Sequence, residues 1–192
     1  MVNIFESFNK KNIDLNLNNI IKWYTCGPTI YADSHLGHAR TFITFDILRR
    51  YFESIGHEVQ YAMNITDIDD KISNKVKMIH WTNLVENKNI KILDDSSPDT
   101  METELLKYYS ENELWPPINL FYDFIDNEEE KFWNDMQSIN VKIPFAKIRV
   151  TQVHNDMILF IQGLIDKNMA YLSNTGYVYF DTEKYKELYP QT

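Results

Sequence analysis

The sequence predicts an α/β fold organised around a strand–helix–strand unit, and three observations point to it. Apolar residues alternate with period two over 19–26, fall three or four apart over 37–55, and alternate again over 58–66. A chain of 192 residues with 44% hydrophobic content holds enough apolar material for a packed core. Its length suits one domain, or one domain carrying a large insertion.

In the first strand, NIIKWYTC, Ile21, Trp23 and Thr25 alternate with Lys22 and Tyr24, and Gly27-Pro28 ends the run. The helix follows a short loop. Phe42, Phe45, Leu48, Phe52 and Ile55 form its apolar stripe, with Gly56 placed to close it. The second strand, EVQYAMNIT, sets Val59, Tyr61, Met63 and Ile65 against Gln60, Ala62 and Asn64. A helix of this length between two strands requires parallel pairing through a right-handed crossover. The loops CGPTIYADSHLGH and NITDIDDK then leave the same edge of the sheet, the carboxyl edge where such folds bind ligands.

Beyond Lys71 the pattern loosens. Residues 83–130 are rich in Asn, Asp, Glu and Lys, are interrupted by Trp115-Pro116-Pro117, and read as a partly helical insertion. Periodicity returns over 131–139 (Phe132, Met136, Ile139) and 150–165 (Val153, Met157, Ile161, Leu164). AYLSNTGYVYFD then reads as a hairpin turning at Asn174-Thr175-Gly176. The expected division is 1–73, an acidic insertion at 74–130, and helices plus a β-hairpin at 131–192.

The formal charge of −9 is unevenly spread: residues 1–80 balance, and the rest of the chain carries the excess. Thirteen acidic residues between Asp94 and Asp135 face only Lys107 and Lys131, so this segment would repel a phosphate backbone and reads as a solvated acidic loop and helix face. A single cysteine permits no internal disulfide and fits a reducing compartment. No apolar run approaches the ~20 residues that span a bilayer. The N-terminus resembles neither a signal nor a transit peptide, so a cytoplasmic protein without membrane partners is expected.

Three groups could carry chemistry. His35 and His38 begin the first helix, where unpaired N–H groups favour an anion and two imidazoles three apart share a face. Gly37 between them leaves room for a flat base against the backbone. Taken alone, HxxH fits a surface pair beside a helix cap better than a ligand site. Cys26 ends the first strand; a lone cysteine is usually a small buried hydrophobe, and a zinc site would need three further ligands. Thr66 and Asp69 resemble a capping box opening a second helix, and Lys71 could neutralise the neighbouring carboxylates.

WYTCGPTIYADSHLGHARTFITFDILRRYF followed by MNITDIDDKI resembles the opening of a cysteinyl-tRNA synthetase, a class I aminoacyl-tRNA synthetase. CGPTIY, HLGH and NITDIDDK in this order and spacing are specific; FWNDMQSINVKIP, Arg149-Val150-Thr151 and NTGYVYFD extend the match along the chain, while the middle segment agrees poorly. The resemblance implies the N-terminal half of a Rossmann-like (HUP) catalytic domain, with 1–73 the first half of its nucleotide-binding part. It implies activation of L-cysteine with ATP and Mg2+ to cysteinyl-adenylate, then transfer to tRNA(Cys). His35, Gly37 and His38 fill the class I HIGH signature and, with Thr29, would hold ATP. Leu36 stands where the signature has isoleucine. Gly27 and Thr66 would line the cysteine pocket, and Cys26 matches the first ligand of a Zn2+ ion that binds the substrate thiolate. A Zn–S bond separates cysteine from serine better than an apolar pocket, which rejects a near-isostere only about 10²-fold.

The family's other zinc ligands, its KMSKS-type lysine loop and its anticodon-binding region find no match in these residues. A missing C-terminal half is therefore an expected partner, and the chain alone is expected to be inactive or nearly so. The same motifs also suit a ligase that gives cysteine to an amino sugar, and a half-domain could persist as a non-catalytic interaction module.

Overall fold

The computed structural model describes residues 2–15, 17–88, 107, 111–112 and 115–190. In chain order the elements are β1 (Val2–Glu6), β2 (Lys11–Leu15), β3 (Ile20–Thr25), α1 (Leu36–Ser54), β4 (Glu58–Ile65), α2 (Asp70–Lys88), α3 (Ile118–Ser138), β5 (Ala146–Arg149), α4 (His154–Asp166), β6 (Ala170–Leu172), β7 (Val178–Phe180) and α5 (Thr182–Leu188). They form two compact units, one of Lys22–Val150 and one of Met1–Ile21 with Thr151–Thr192. Helices α2 and α3 run across the positions 73/74 and 130/131 at which composition divides the chain, and much of the 74–130 insertion lies outside the described residues.

The larger unit is built on a sheet of order β3-β4-β5. Period-two patterning places Val59, Tyr61, Met63 and Ile65 of β4 in the core. β5 pairs parallel to β4 with Ile65 opposite Arg149, and a parallel bridge joins Thr29 to Thr66 beyond the ends of β3 and β4. Both expected loops therefore do leave one edge of the sheet. β5 itself is a strand the sequence did not announce, because AKIR has no alternation long enough to register.

Aromatic edges fill the layer beneath. Trp23 lies 5.8 Å from Phe45, 6.2 Å from Phe52 and 5.3 Å from Tyr61, and Phe42 meets Phe132 of α3 at 5.5 Å. Such pairs add about 0.5–1.5 kcal/mol each beyond the area they bury. Trp81 of α2 and Met136 of α3 are fully enclosed. Helix α1 ends as expected: Gly56 has φ +93°, His57 N–H bonds Phe52 O at 3.1 Å, and Gly56 N–H bonds Glu53 O at 3.1 Å, the Schellman arrangement.

The stripe on α1 is only partly buried. Leu48 and Ile55 are exposed, whereas Asp46 is buried. The cause is polar: Asp46 accepts from Arg50 Nε and from the Lys142 backbone N–H at 3.0 Å, while Arg49 and Arg50 donate to the carbonyls of Ile143 and Asn140. The turn after α3 has backbone groups that need partners, and α1 supplies them. The acidic face of α3 is likewise not merely solvated. Glu128 is buried and paired with Lys131 at 2.6 Å, and Glu129 binds Arg149 and the Trp133 Nε1–H.

In the smaller unit, β1 and β2 form an antiparallel hairpin with Val2 opposite Leu15. Its sequence is polar and gave no strand signal. The turn is held by the Glu6 carboxylate, which accepts from the backbone N–H of Phe8 and Asn9, with Lys10 at φ 53°. The β6–β7 hairpin turns where expected, with Gly176 at φ +85°. Helix α4 follows a 3-10 turn at Val150–Val153, and none of its residues, including Met157, Ile161 and Leu164, is buried.

Candidate functional site

A cavity of ≈ 390 Å³ opens at the carboxyl edge of the sheet in the larger unit. It brings together five of the expected residues: Cys26, Gly27 and Thr29 from the loop after β3, and His35 and His38 from the start of α1. The lone thiol and the two imidazoles therefore share one crevice. Tyr31, Asp33, Thr41 and Lys71 line it too; composition and spacing had not singled them out as ligand residues.

The two histidines close the N-terminus of α1 between themselves. Gly37 N–H donates to His35 Nδ1 at 3.0 Å, and His35 N–H donates to His38 Nδ1 at 3.3 Å. This is a capping box made of imidazoles instead of hydroxyl and carboxylate. The rings stack with centroids 3.9 Å apart and planes 17° from parallel. A neutral imidazole that accepts at Nδ1 must carry its proton at Nε2, so each ring keeps one outward N–H donor. The space expected above Gly37 is taken by the His35 ring: a Cβ there would lie 2.8 Å from His35 Cε1.

Burial, and secondarily the nearby His35, lower the pKa of His38 below the ordinary histidine value. The neutral form is thus the native one at pH 7. A group whose folded pKa is depressed gives stability that is full above the unfolded value, about 6.5 for histidine, and lost as pH falls through the lower folded value. We expect the thermal midpoint to hold above pH 7 and to drop as pH falls below the ordinary histidine value of about 6.5, a drop that His38→Gln reduces because an amide does not titrate. Imidazole ¹⁵N spectra at pH 7.5 should show both rings protonated at Nε2; protonation at Nδ1 would contradict the cap.

Gly27 packs against β4 with no room for a side chain. Its N–H donates to Asn64 Oδ1 at 3.0 Å, and a Cβ would sit 1.7 Å from Asn64 O. Asn64 also accepts from the Tyr24 hydroxyl at 2.8 Å and donates to Thr66 Oγ1 at 3.2 Å. It ties the loop after β3 to the loop after β4, a role whose only sequence signal was a polar residue inside an apolar strand. Thr66 does not cap a helix. Its N–H binds Pro28 O and its carbonyl accepts from Ile30 N–H, which extends the ladder. The cap of α2 is Asp69, which accepts from Lys71 N–H at 2.8 Å. Nor does Lys71 neutralise the carboxylates: its Nζ lies 5.0 Å above the Tyr31 ring, and no ion pair of Lys71 occurs among the described residues.

Cys26 is exposed, its Sγ 3.6 Å from Gly27 O. Among the described residues no three His, Cys, Asp or Glu side chains are grouped so as to hold a metal ion. Cys26 can offer one soft ligand, but the donor set here does not fit a resident zinc, which needs at least three protein ligands.

A parallel α/β sheet with a crevice at its carboxyl edge and HxxH at the first turn of the crossover helix is the arrangement of a class I synthetase catalytic fold. The chain belongs to the family described as tRNA synthetases class I (C) catalytic domain, whose model matches residues 12–191. It is 34% identical over 189 residues to the cysteine–tRNA ligase of Methanococcus vannielii, covering 97% of this chain and 32% of that protein. It is 37% identical over 164 residues to the cysteine–tRNA ligase of Helicobacter pylori strain HPAG1, covering 85% of this chain and 27% of that protein. The chain thus spans about a third or less of the length of these relatives. A solved structure described as an arginyl-tRNA synthetase from Campylobacter jejuni matches 86% of the chain and 38% of its own, with a TM-score of 0.60 at 13% identity, a likeness of fold. No described helix is long and apolar enough to cross a membrane.

Proposed function

We propose that this chain carries the ATP- and cysteine-binding front of a cysteine–tRNA ligase. The observation that carries the reading is the imidazole capping box at the mouth of the cavity that also holds Cys26, Gly27 and Thr29. In the reaction proposed, the cysteine carboxylate attacks the α-phosphorus of ATP and pyrophosphate leaves; a hydroxyl of the 3′-terminal ribose of tRNA(Cys) then attacks the adenylate carbonyl and AMP leaves. His35 and His38 hold ATP through their Nε2–H groups, which donate most strongly as negative charge builds on the phosphoryl oxygens. Thr29 shapes the phosphate site. Gly27 and Thr66, fixed by Asn64, form the wall against cysteine. Cys26 would offer one thiolate to a zinc ion only if residues beyond those described supplied the remaining ligands, and the chemistry such an ion would supply is a soft site for sulfur. The C-terminal half, L-cysteine, ATP with Mg2+ and tRNA(Cys) are the partners of this reading, and the cytoplasm is its setting.

The test replaces the corresponding front segment of the Helicobacter pylori ligase with this chain and measures cysteine-dependent ATP–pyrophosphate exchange. Exchange by the chimera, and its absence from the isolated chain, are expected. A folded chimera that exchanges as fast with serine as with cysteine would refute the assignment.

A further inference from the structure

Among the described residues lining the cavity, Asp33 is the one carboxylate and Lys71 the one Lys or Arg. Its ammonium has no carboxylate partner among the described ion pairs; it lies over the Tyr31 ring at 5.0 Å. A ring face attracts an ammonium without neutralising it, so the charge remains available to a ligand. The backbone reinforces the placement. Lys71 is held at the first turn of α2 by the bond from its own N–H to Asp69, while Tyr31 N–H bonds Thr29 O at 3.2 Å in the loop after β3. The ammonium from the first turn of α2 and the ring from the loop after β3 meet at the crevice. The imidazoles beside them offer hydrogen bonds but, when neutral, no positive charge.

We propose that Lys71 is the phosphate-pairing residue of this crevice, contacting the phosphate chain of the nucleotide, and that Tyr31 positions its ammonium. This rests on the reading of the crevice as an ATP site and adds the group that supplies its positive charge. A carboxylate, such as that of the amino acid, shares the anionic chemistry; the phosphate chain is favoured because Lys71 and the two imidazoles line one cavity and together present an ammonium and two N–H donors.

Calorimetric titration of the purified chain with inorganic triphosphate, ATP, adenosine and cysteine tests it. We expect Lys71→Met to weaken triphosphate and ATP binding about ten- to hundredfold and to leave adenosine binding unchanged. Lys71→Arg should restore binding to within about threefold, since it keeps the charge. Tyr31→Leu should weaken triphosphate binding less than Lys71→Met, and Lys75→Met, on the exposed side of α2, should do nothing. Triphosphate binding that survives Lys71→Met overturns the proposal, as does a wild-type chain that binds no triphosphate. A loss confined to cysteine would assign Lys71 to the carboxylate and overturn it also. Normal adenosine binding with a Lys71-independent phosphate response would defeat this inference alone; no binding of ATP or adenosine by the chain or the chimera would defeat the parent reading.

Discussion

Gly27→Ala is expected to destabilise the larger unit severely. The new methyl would lie 1.7 Å from the backbone oxygen of Asn64 and 2.6 Å from Met63 Cγ. Met63 is almost fully buried at the centre of β4 and cannot swing away, and the Asn64 oxygen belongs to the sheet itself. Overpacking that displaces only side chains costs about 1–3 kcal/mol. Here the backbone of one strand must leave the other, which breaks the Gly27–Asn64 bond at 3.0 Å and disturbs the Thr29–Thr66 bridge two residues on. A loss of more than about 3 kcal/mol follows, equivalent to a fall in Tm of more than ~6 °C for a chain of this size. Circular dichroism melts of Gly27→Ala against Gly163→Ala check it, because a Cβ at Gly163 meets nothing within 4 Å. Equal melting of the two variants would show that the loop and strand are not packed as described.

The legible parts of this fold were those where one physical signal dominates. Val59, Tyr61, Met63 and Ile65 alternate because one side of β4 is buried, and the period of two records it directly. Gly56 and Gly176 sit at positive φ, where a side chain is strained, so both ends were readable. The β1–β2 hairpin was not, since its residues are largely solvated and its turn depends on the Glu6 carboxylate. Leu48 belongs to the apolar stripe yet is exposed, because a periodic count of apolar residues has no place for Asp46, whose burial depends on Arg50 and on a backbone N–H 96 residues away. The site shows the same contrast. HxxH and Cys26 stand out in sequence, Thr29 enters only through the family resemblance, and the structure gathers them. Asn64, Tyr31 and Lys71 act through partners distant in sequence, which no local spacing encodes.

The imidazole pair should give the largest catalytic effect, and its two members should fail differently. In the chimera, His38→Ala removes the donor proposed for the phosphoryl oxygens and the acceptor of His35 N–H. His35→Ala removes a donor and the acceptor of Gly37 N–H. Loss of one such donor to developing charge costs about 10²–10³ in rate, and loss of a cap costs about 0.5–2 kcal/mol of stability. Asparagine separates the two roles at position 35: its short side-chain oxygen can accept from Gly37 N–H and so keep the cap, but it lacks the outward Nε2–H. His35→Asn should therefore melt near wild type while cysteine-dependent ATP–pyrophosphate exchange falls about 10²-fold or more, whereas His35→Ala should lose both. If His35→Asn and His38→Ala chimeras both exchanged at the parental rate, the histidines would be caps alone, and the nucleotide would have to be held elsewhere in the cavity.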